Sequence, residues 1–293
     1  MMQTSGYVTT QAQVKTLSLQ DLPAWSPWPT RIMGLDPWTV PVRNLDKIAS
    51  EYDQDKYHRI LEWVERQTGE ISLAQVQRGL IDMVGLTPET QICMSRRQEL
   101  LLATVEEAFT EQFRELAAQL APAITGCRSV AELGSGIGLN LWYLKHEFPP
   151  FEYAGGDFSG NAVKVAHRLH QNVVKFNFYD LDSYSFLEWL PEPIAVFTCH
   201  ALEQLPTAAP FLEHLSCYRA RINAVVNFEP AAELYPKNLL GLLRARYTEI
   251  NDYNRDLLSV LSSSSQVEID RSEYDVIGVN PLNPSSVLAW HFR

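Results

Sequence analysis

The sequence predicts an α/β fold: a doubly wound, mainly parallel sheet of seven strands, with an antiparallel C-terminal hairpin and an N-terminal helical extension. Three observations predict it. From about residue 128 onward, short apolar runs of strand length alternate with stretches of helical spacing. The first of these runs leads straight into a glycine-rich turn, Gly134-Ser135-Gly136-Ile137-Gly138. The last two β-rich runs are joined only by the short loop Asn280-Pro281-Leu282-Asn283-Pro284, which favours a hairpin at the sheet edge.

The elements follow in order. Residues 1–120 open with a tryptophan- and proline-rich entry (Trp25, Trp28, Pro29, Pro37, Trp38, Pro41). After Tyr57, residues Ile60, Leu61, Trp63 and Val64 share one helical face; Leu100, Leu101, Val105, Phe109 and Phe113 share another. Gly85 and Pro88 punctuate the chain between them. This zone reads as helical, without a strand pattern of its own, and is expected to contribute to a substrate pocket. Residues 121–293 read as the core. Strands are expected at 129–133, 151–155, 172–178, 194–199 and 222–228, with helices from the glycine turn to about 146, at 160–170 and at 206–218. Such alternation implies right-handed crossovers and a Rossmann-like sheet. Residues 231–262 form a helical insertion of one helix or two, followed by strands at 267–279 and 286–292.

Composition narrows the functions open to such a chain. Its 293 residues are 46% hydrophobic, enough for a sizeable core. With 24 basic and 35 acidic residues, the formal charge of −11 argues against a nucleic-acid partner, whose backbone demands a basic surface. No apolar stretch is long enough to cross a bilayer, and the first 20 residues lack a signal-peptide core. Cys93, Cys127, Cys199 and Cys217 are scattered, which fits a reducing cytoplasm and gives no zinc or redox motif. His167 and His170 stand three apart on a helix without carboxylates nearby, so no metal is expected.

The chemistry-bearing residues cluster at strand ends. Glycines 134, 136 and 138 remove side chains where a ligand can lie against backbone N–H groups at a helix start. Asp157 follows the second strand about 20 residues on, where a carboxylate can accept both hydroxyls of a ribose or simply cap the next helix. A dinucleotide fingerprint would need a glycine at position 139, which is Leu139; the spacing here is G-x-G-x-G after Glu132.

With these motifs the sequence resembles the class I S-adenosylmethionine-dependent methyltransferases over about residues 95–293. The matching segments are Glu132-Leu-Gly-Ser-Gly-Ile-Gly138, Tyr153-Ala-Gly-Gly-Asp157-Phe-Ser159, Phe178-Tyr-Asp180-Leu-Asp182 and Val196-Phe-Thr-Cys-His-Ala-Leu-Glu-Gln-Leu-Pro206. The terminal hairpin matches that family's antiparallel seventh strand. The resemblance implies S-adenosyl-L-methionine as cofactor, with Glu132, Gly134, Ser135, Gly136 and Gly138 toward its methionine part and Asp157 on its ribose. It also implies Asp180 (or Asp182) on the adenine amino group, Leu181 offering a backbone N–H, and Phe158 packing on the ring. Cys199, His200 and Ala201 would line the reaction cavity, and Tyr52 or Tyr57 would cover the cofactor or pack in the core.

Methyl transfer asks mainly for alignment of the acceptor, with a base where a proton must leave. His200 is the first candidate base, against a structural packing role, with Glu203 and Gln204 close behind. The family often has a histidine where this chain has Gln204, which weakens a direct transfer of that role. Glu229, closing the fifth strand, is the second candidate, against a solvated strand-end acid. Arg96 and Arg97 could meet an acidic substrate or begin a helix. Trp28 and Trp38 could line an apolar pocket or belong to the core. The expected acceptor is a small molecule or peptide natural product, methylated on nitrogen or oxygen; the sequence leaves the accepting atom and the oligomeric state open. Two rivals stand beside this reading. A nicotinamide-dependent oxidoreductase is disfavoured by Leu139 and the terminal hairpin, and the other rival is a non-catalytic cofactor-binding protein.

Overall fold

The computed structural model describes residues 15–36 and 44–293, so Pro37, Trp38 and Pro41 lie outside the described residues. The chain begins with β1 (Lys15–Leu17), α1 (Leu22–Trp25), α2 (Trp28–Ile32) and α3 (Leu45–Ile48). A π-helical segment (Ala49–Lys56) runs into α4 (Tyr57–Glu65), followed by α5 (Leu73–Met83), β2 (Gln91–Arg96), β3 (Glu99–Thr104) and α6 (Val105–Ile124). The core continues as β4 (Ser129–Leu133), α7 (Leu139–Glu147), β5 (Glu152–Asp157), α8 (Gly160–Arg168), β6 (Val173–Lys175) and β7 (Ile194–Cys199). It ends with α9 (Ala209–Ser216), β8 (Ile222–Glu229), α10 (Leu239–Ile250), α11 (Leu257–Ser263), β9 (Val267–Ile277) and β10 (Ser285–Phe292).

The seven-stranded sheet has the order β6-β5-β4-β7-β8-β10-β9. Strands β4 to β8 pair in parallel, whereas β10 runs antiparallel to both β8 and β9. This is the Rossmann-like, class I methyltransferase-like fold that the sequence predicts, with its reversed strand inserted between β8 and β9. Side chains of successive residues leave the sheet on opposite faces. Ala131 and Leu133 of β4 accordingly join one buried cluster with Phe211 and Leu215 of α9 and Leu257 of α11. Val130 joins another with Leu116 and Leu120 of α6 and Leu141 of α7. A sheet covered on both faces needs such continuous apolar strands.

The N-terminal helical region is present, but it also carries strands, contrary to the strand-free expectation. β1, β3 and β2 form a small antiparallel sheet. Leu100 and Leu101 therefore lie in β3, and the helix starts only at Val105, where Thr104 and Glu107 make a capping box. A short apolar run next to a helix fits both periods, and the β2–β3 turn offers no glycine to mark it. Its two turn residues, Arg97 and Gln98, both take positive φ. Arg96 pairs with Glu111 and Glu115 of α6 and does not begin a helix. Trp28 packs edge-on against Tyr247 of α10 at 4.5 Å, a core contact. The insertion 231–262 holds two helices, α10 and α11. No helix among the described residues is long and apolar enough to cross a membrane, and all four cysteines are free thiols.

Candidate functional site

In an open parallel sheet, ligands bind beyond the carboxyl ends of the strands, where the strand order reverses direction. Here that point lies between β4 and β7. Two adjoining cavities open beside it, of about 450 Å³ and about 100 Å³. Tyr52, Tyr57, Gly134 and His200 line both.

The turn after β4 forms the floor between them. Gly134 has φ +79, and a Cβ there would meet the Ala201 Cβ at 2.3 Å. Gly136 has φ +55, and its Cβ would meet the Tyr57 hydroxyl at 2.6 Å. The turn thus needs glycine for its backbone angles and for the close approach of two other segments. Gly138 supplies the left-handed residue that opens α7 and faces Gln171 and Val173, away from the cavity walls. Asp157, at the end of β5, accepts from the Gly136 N–H at 2.7 Å and the Ser159 N–H at 2.8 Å. It borders the smaller cavity with Phe158, Asn177, Phe178 and Tyr179. Burial pushes its carboxyl above the usual range, partly opposed by those two N–H groups and by Lys56 and Lys175.

Glu132 ends β4 inside the larger cavity and is 1% exposed. Its Oε1 accepts from Asn140 Nδ2 at 2.6 Å, while Oε2 has no hydrogen-bond partner. Burial, with the charges of Asp157 and Glu229, pushes its carboxyl up to about 8 against the Asn140 bond. The Ser135 hydroxyl is likewise buried without a partner on the same wall. Lys56, from the π-helical segment, enters this cavity over the rings of Tyr52 (5.1 Å) and Tyr57 (5.2 Å). Its ammonium feels Asp157 and Glu203, but burial dominates and holds it below its ordinary value. Ile60, Leu80, Phe109, Phe113 and Ile277 add an apolar stretch to that wall, beside the polar Gln112, Asn280 and Asn283.

The segment after β7 carries the third group of residues. His200 sits at φ +52, a conformation that costs most residues energy and is enriched at sites where backbone is held by function. Its Nε2 is 2.7 Å from Ser285 Oγ and its Nδ1 3.2 Å from Glu203 Oε2. Burial lowers the imidazole's proton affinity, yet the charge and hydrogen bond of Glu203 together with the charge of Glu229 outweigh it, and the net shift is upward. Glu229 does not border either cavity. It accepts from the backbone N–H groups of Ala201 (2.9 Å), Leu202 (3.1 Å) and Glu203 (3.3 Å), so it holds the turn that presents His200. Burial raises its carboxyl to about 7, with His200 opposing.

The structure therefore brings together Glu132, Gly134, Ser135, Gly136, Asp157, Phe158, Cys199, His200 and Tyr57 around two cavities. It does not bring Asp180 or Leu181 there. Both are exposed, and Asp180 accepts from the Asp182 N–H at 3.2 Å at the start of a 3₁₀ turn. Strand β6 ends at Lys175 rather than 178, so Asn177, Phe178 and Tyr179 reach the wall first. Sequence reasoning missed Lys56, Asn140, Asn283 and Ser285. Lys56 stands beside Tyr57, the residue expected to cover the site, which was its one signal; nothing local marks the others.

No protein-family model matches the chain, and no curated protein does. Among solved structures it is similar to the plantazolicin methyltransferase BpumL in complex with a pentazolic desmethylPZN analog and SAH, at 13% identity and TM-score 0.44. That match covers 64% of this chain and 86% of the other. The pyocyanin biosynthetic protein PhzM matches at 14% identity and TM-score 0.42, over 57% of this chain and 50% of its own. The O-methyltransferase NcsB1 from neocarzinostatin biosynthesis, in complex with S-adenosylmethionine and 2-hydroxy-5-methyl naphthoic acid, matches at 14% and 0.40, over 63% and 57%.

Proposed function

We propose that this protein is an S-adenosylmethionine-dependent methyltransferase acting on a small molecule or a peptide natural product. The observation that carries the reading is Glu132, a buried carboxylate with one oxygen unpartnered, facing the larger cavity. Ionising a carboxyl so placed costs free energy unless a donor arrives, which is why burial pushes it up to about 8, and the α-ammonium of a methionyl group is such a donor. Lys56 across the same cavity suits the α-carboxylate, and the turn 134–138 leaves room where side chains would otherwise stand. Asp157 suits the ribose hydroxyls, with Phe158, Phe178 and Tyr179 offering apolar surface to the base.

The cofactor supplies an electrophilic methyl group, and the protein's own residues have the simpler tasks of holding, shielding and deprotonating. Tyr52 and Tyr57 screen the junction of the two cavities from water. The apolar wall from α4, α5 and α6 would hold the acceptor, which would make the described part of the N-terminal region a cover for the core 121–293. The large helical additions, there and at 231–262, favour an enclosed pocket over an open docking face. His200 is positioned to receive a proton, whereas Glu229 supports the turn that carries it. Calorimetric titration tests the class: S-adenosylmethionine binding is expected, and tight NAD binding without it would overturn the reading. Incubating the protein with methyl-labelled cofactor and a cell extract then identifies the acceptor by its added methyl mass.

A further inference from the structure

Ser285 opens β10, directly after the loop 280–284 that the sequence offers as a hairpin turn, and it meets His200 across 85 positions of sequence. Its hydroxyl, His200 and Glu203 form a continuous chain on the wall of the larger cavity. Glu203 is itself tightly held. Its Oε2 accepts from Asn283 Nδ2 at 2.9 Å, and its Oε1 from Gln204 Nε2 at 2.9 Å. With that carboxylate on Nδ1, the neutral imidazole keeps its proton there, and Nε2 is left to accept from the Ser285 hydroxyl. No other described group hydrogen-bonds Ser285 Oγ, so its lone pairs remain for a molecule in the cavity.

We infer that Ser285 is a catalytic residue that relays the acceptor's proton to His200, and that the accepting group is a hydroxyl. The acceptor's O–H proton passes to Ser285 Oγ as the serine's own proton passes to His200 Nε2. Serine ends as it began, the acceptor oxygen gains a free electron pair, and the new imidazolium is held by Glu203. An amine arriving already neutral needs no such chain, whereas an alcohol or phenol does. Glu203 is a positioning residue here, acting through the ring it orients. The inference rests on the methyltransferase reading for what the freed oxygen attacks, but the proton chain itself does not.

The test needs no acceptor. Nitrogen NMR of the imidazoles, on protein saturated with S-adenosylhomocysteine, reports the tautomer of His200, and phenylmethylsulfonyl fluoride probes the serine. That reagent forms an Oγ–S bond, expels fluoride and leaves the serine's proton on His200. The neutral His200 is expected to carry its proton on Nδ1, and Ser285→Ala to shift the Nε2 resonance alone. Labelling is expected at Ser285, roughly a hundredfold slower in His200→Ala, slowed also in Glu203→Gln and retained in part by Ser285→Thr. A proton on Nε2, no label at Ser285, or equal rates in wild type and His200→Ala would each overturn the relay. Far-ultraviolet circular dichroism and a urea midpoint of every variant monitor folding, and S-adenosylmethionine titration of the wild type checks the class. Absence of binding in the wild type sinks the methyltransferase reading while leaving the labelling result to stand on its own.

Discussion

Arg244 of α10 and Asp275 of β9 are both fully buried, and their charges meet at 2.8 Å. Asp275 also accepts from Ser95 Oγ (2.9 Å) and the Gln98 N–H (3.0 Å), so one carboxylate joins the β2–β3 hairpin, the main sheet and the α10–α11 insertion. Burying two charges gains little over an apolar pair, but removing one partner strands the other. Asp275→Ala is expected to cost about 3–5 kcal/mol, read as a lower urea midpoint. An unchanged midpoint would show that the hairpin is fastened elsewhere.

Under the proposed function, Glu132 should tie cofactor binding to protons. Its carboxyl is raised from 4.5 to about 8 by burial, so the free protein holds a proton there at neutral pH. The folded form then binds more protons than the unfolded form between those values, and this group's contribution to stability falls as pH rises through that window. A cofactor ammonium favours the carboxylate and should expel the proton. Calorimetry at pH 7 in buffers of different ionisation heat should detect proton release on S-adenosylmethionine binding. Glu132→Gln should abolish the release and weaken binding; the same release in that variant would assign it to another group.

Gly136 and Tyr57 test the floor of the site together. Gly136→Ala places a Cβ 2.6 Å from the tyrosine hydroxyl at φ +55. Left-handed backbone alone costs a residue with a Cβ about 1–2 kcal/mol, so cofactor affinity should fall by roughly tenfold or more. Adding Tyr57→Phe removes the contact and leaves the backbone cost, so it should recover part of the loss. Full affinity in Gly136→Ala would mean that the turn is not held in this form when ligand binds.

Asp53 fastens the π-helical segment to the start of α8. Its Oδ1 accepts from Ser159 Oγ (2.5 Å) and the Asn161 N–H (2.9 Å), and its carbonyl accepts from Asn161 Nδ2 (2.9 Å). Asp53→Ala should cost about 1 kcal/mol, in the range of a lost helix cap, confined to the cover. Hydrogen exchange should quicken over 49–56 and cofactor affinity should drop several-fold, with the unfolding midpoint nearly unchanged. Exchange that quickens across the whole sheet instead would make Asp53 a residue of global stability.

The sheet was legible because strands covered on both faces write themselves as unbroken apolar runs between turns, as at 194–199 and 222–228. The Gly134–Gly138 turn and Asp157 were legible because backbone geometry restricts which residues can stand there. The β2–β3 hairpin was not, since Leu100 and Leu101 fit the helical spacing of Val105 and Phe109. Ser285 was illegible as a partner of His200 because only tertiary packing brings the start of β10 to the turn after β7. Asp180 lies off the cavity walls because β6 ends three residues before the strand the sequence suggests, so other side chains reach the wall first.

Tyr52 and Tyr57 are shared walls, each facing both cavities. A molecule seated in the smaller chamber therefore finishes the shape of the larger one. With S-adenosylmethionine as the proposed ligand of the smaller chamber, the expected steady-state order has the nucleoside entering first and leaving last. Product-inhibition patterns should show S-adenosylhomocysteine competing with S-adenosylmethionine alone; competition with the acceptor as well would point to random entry.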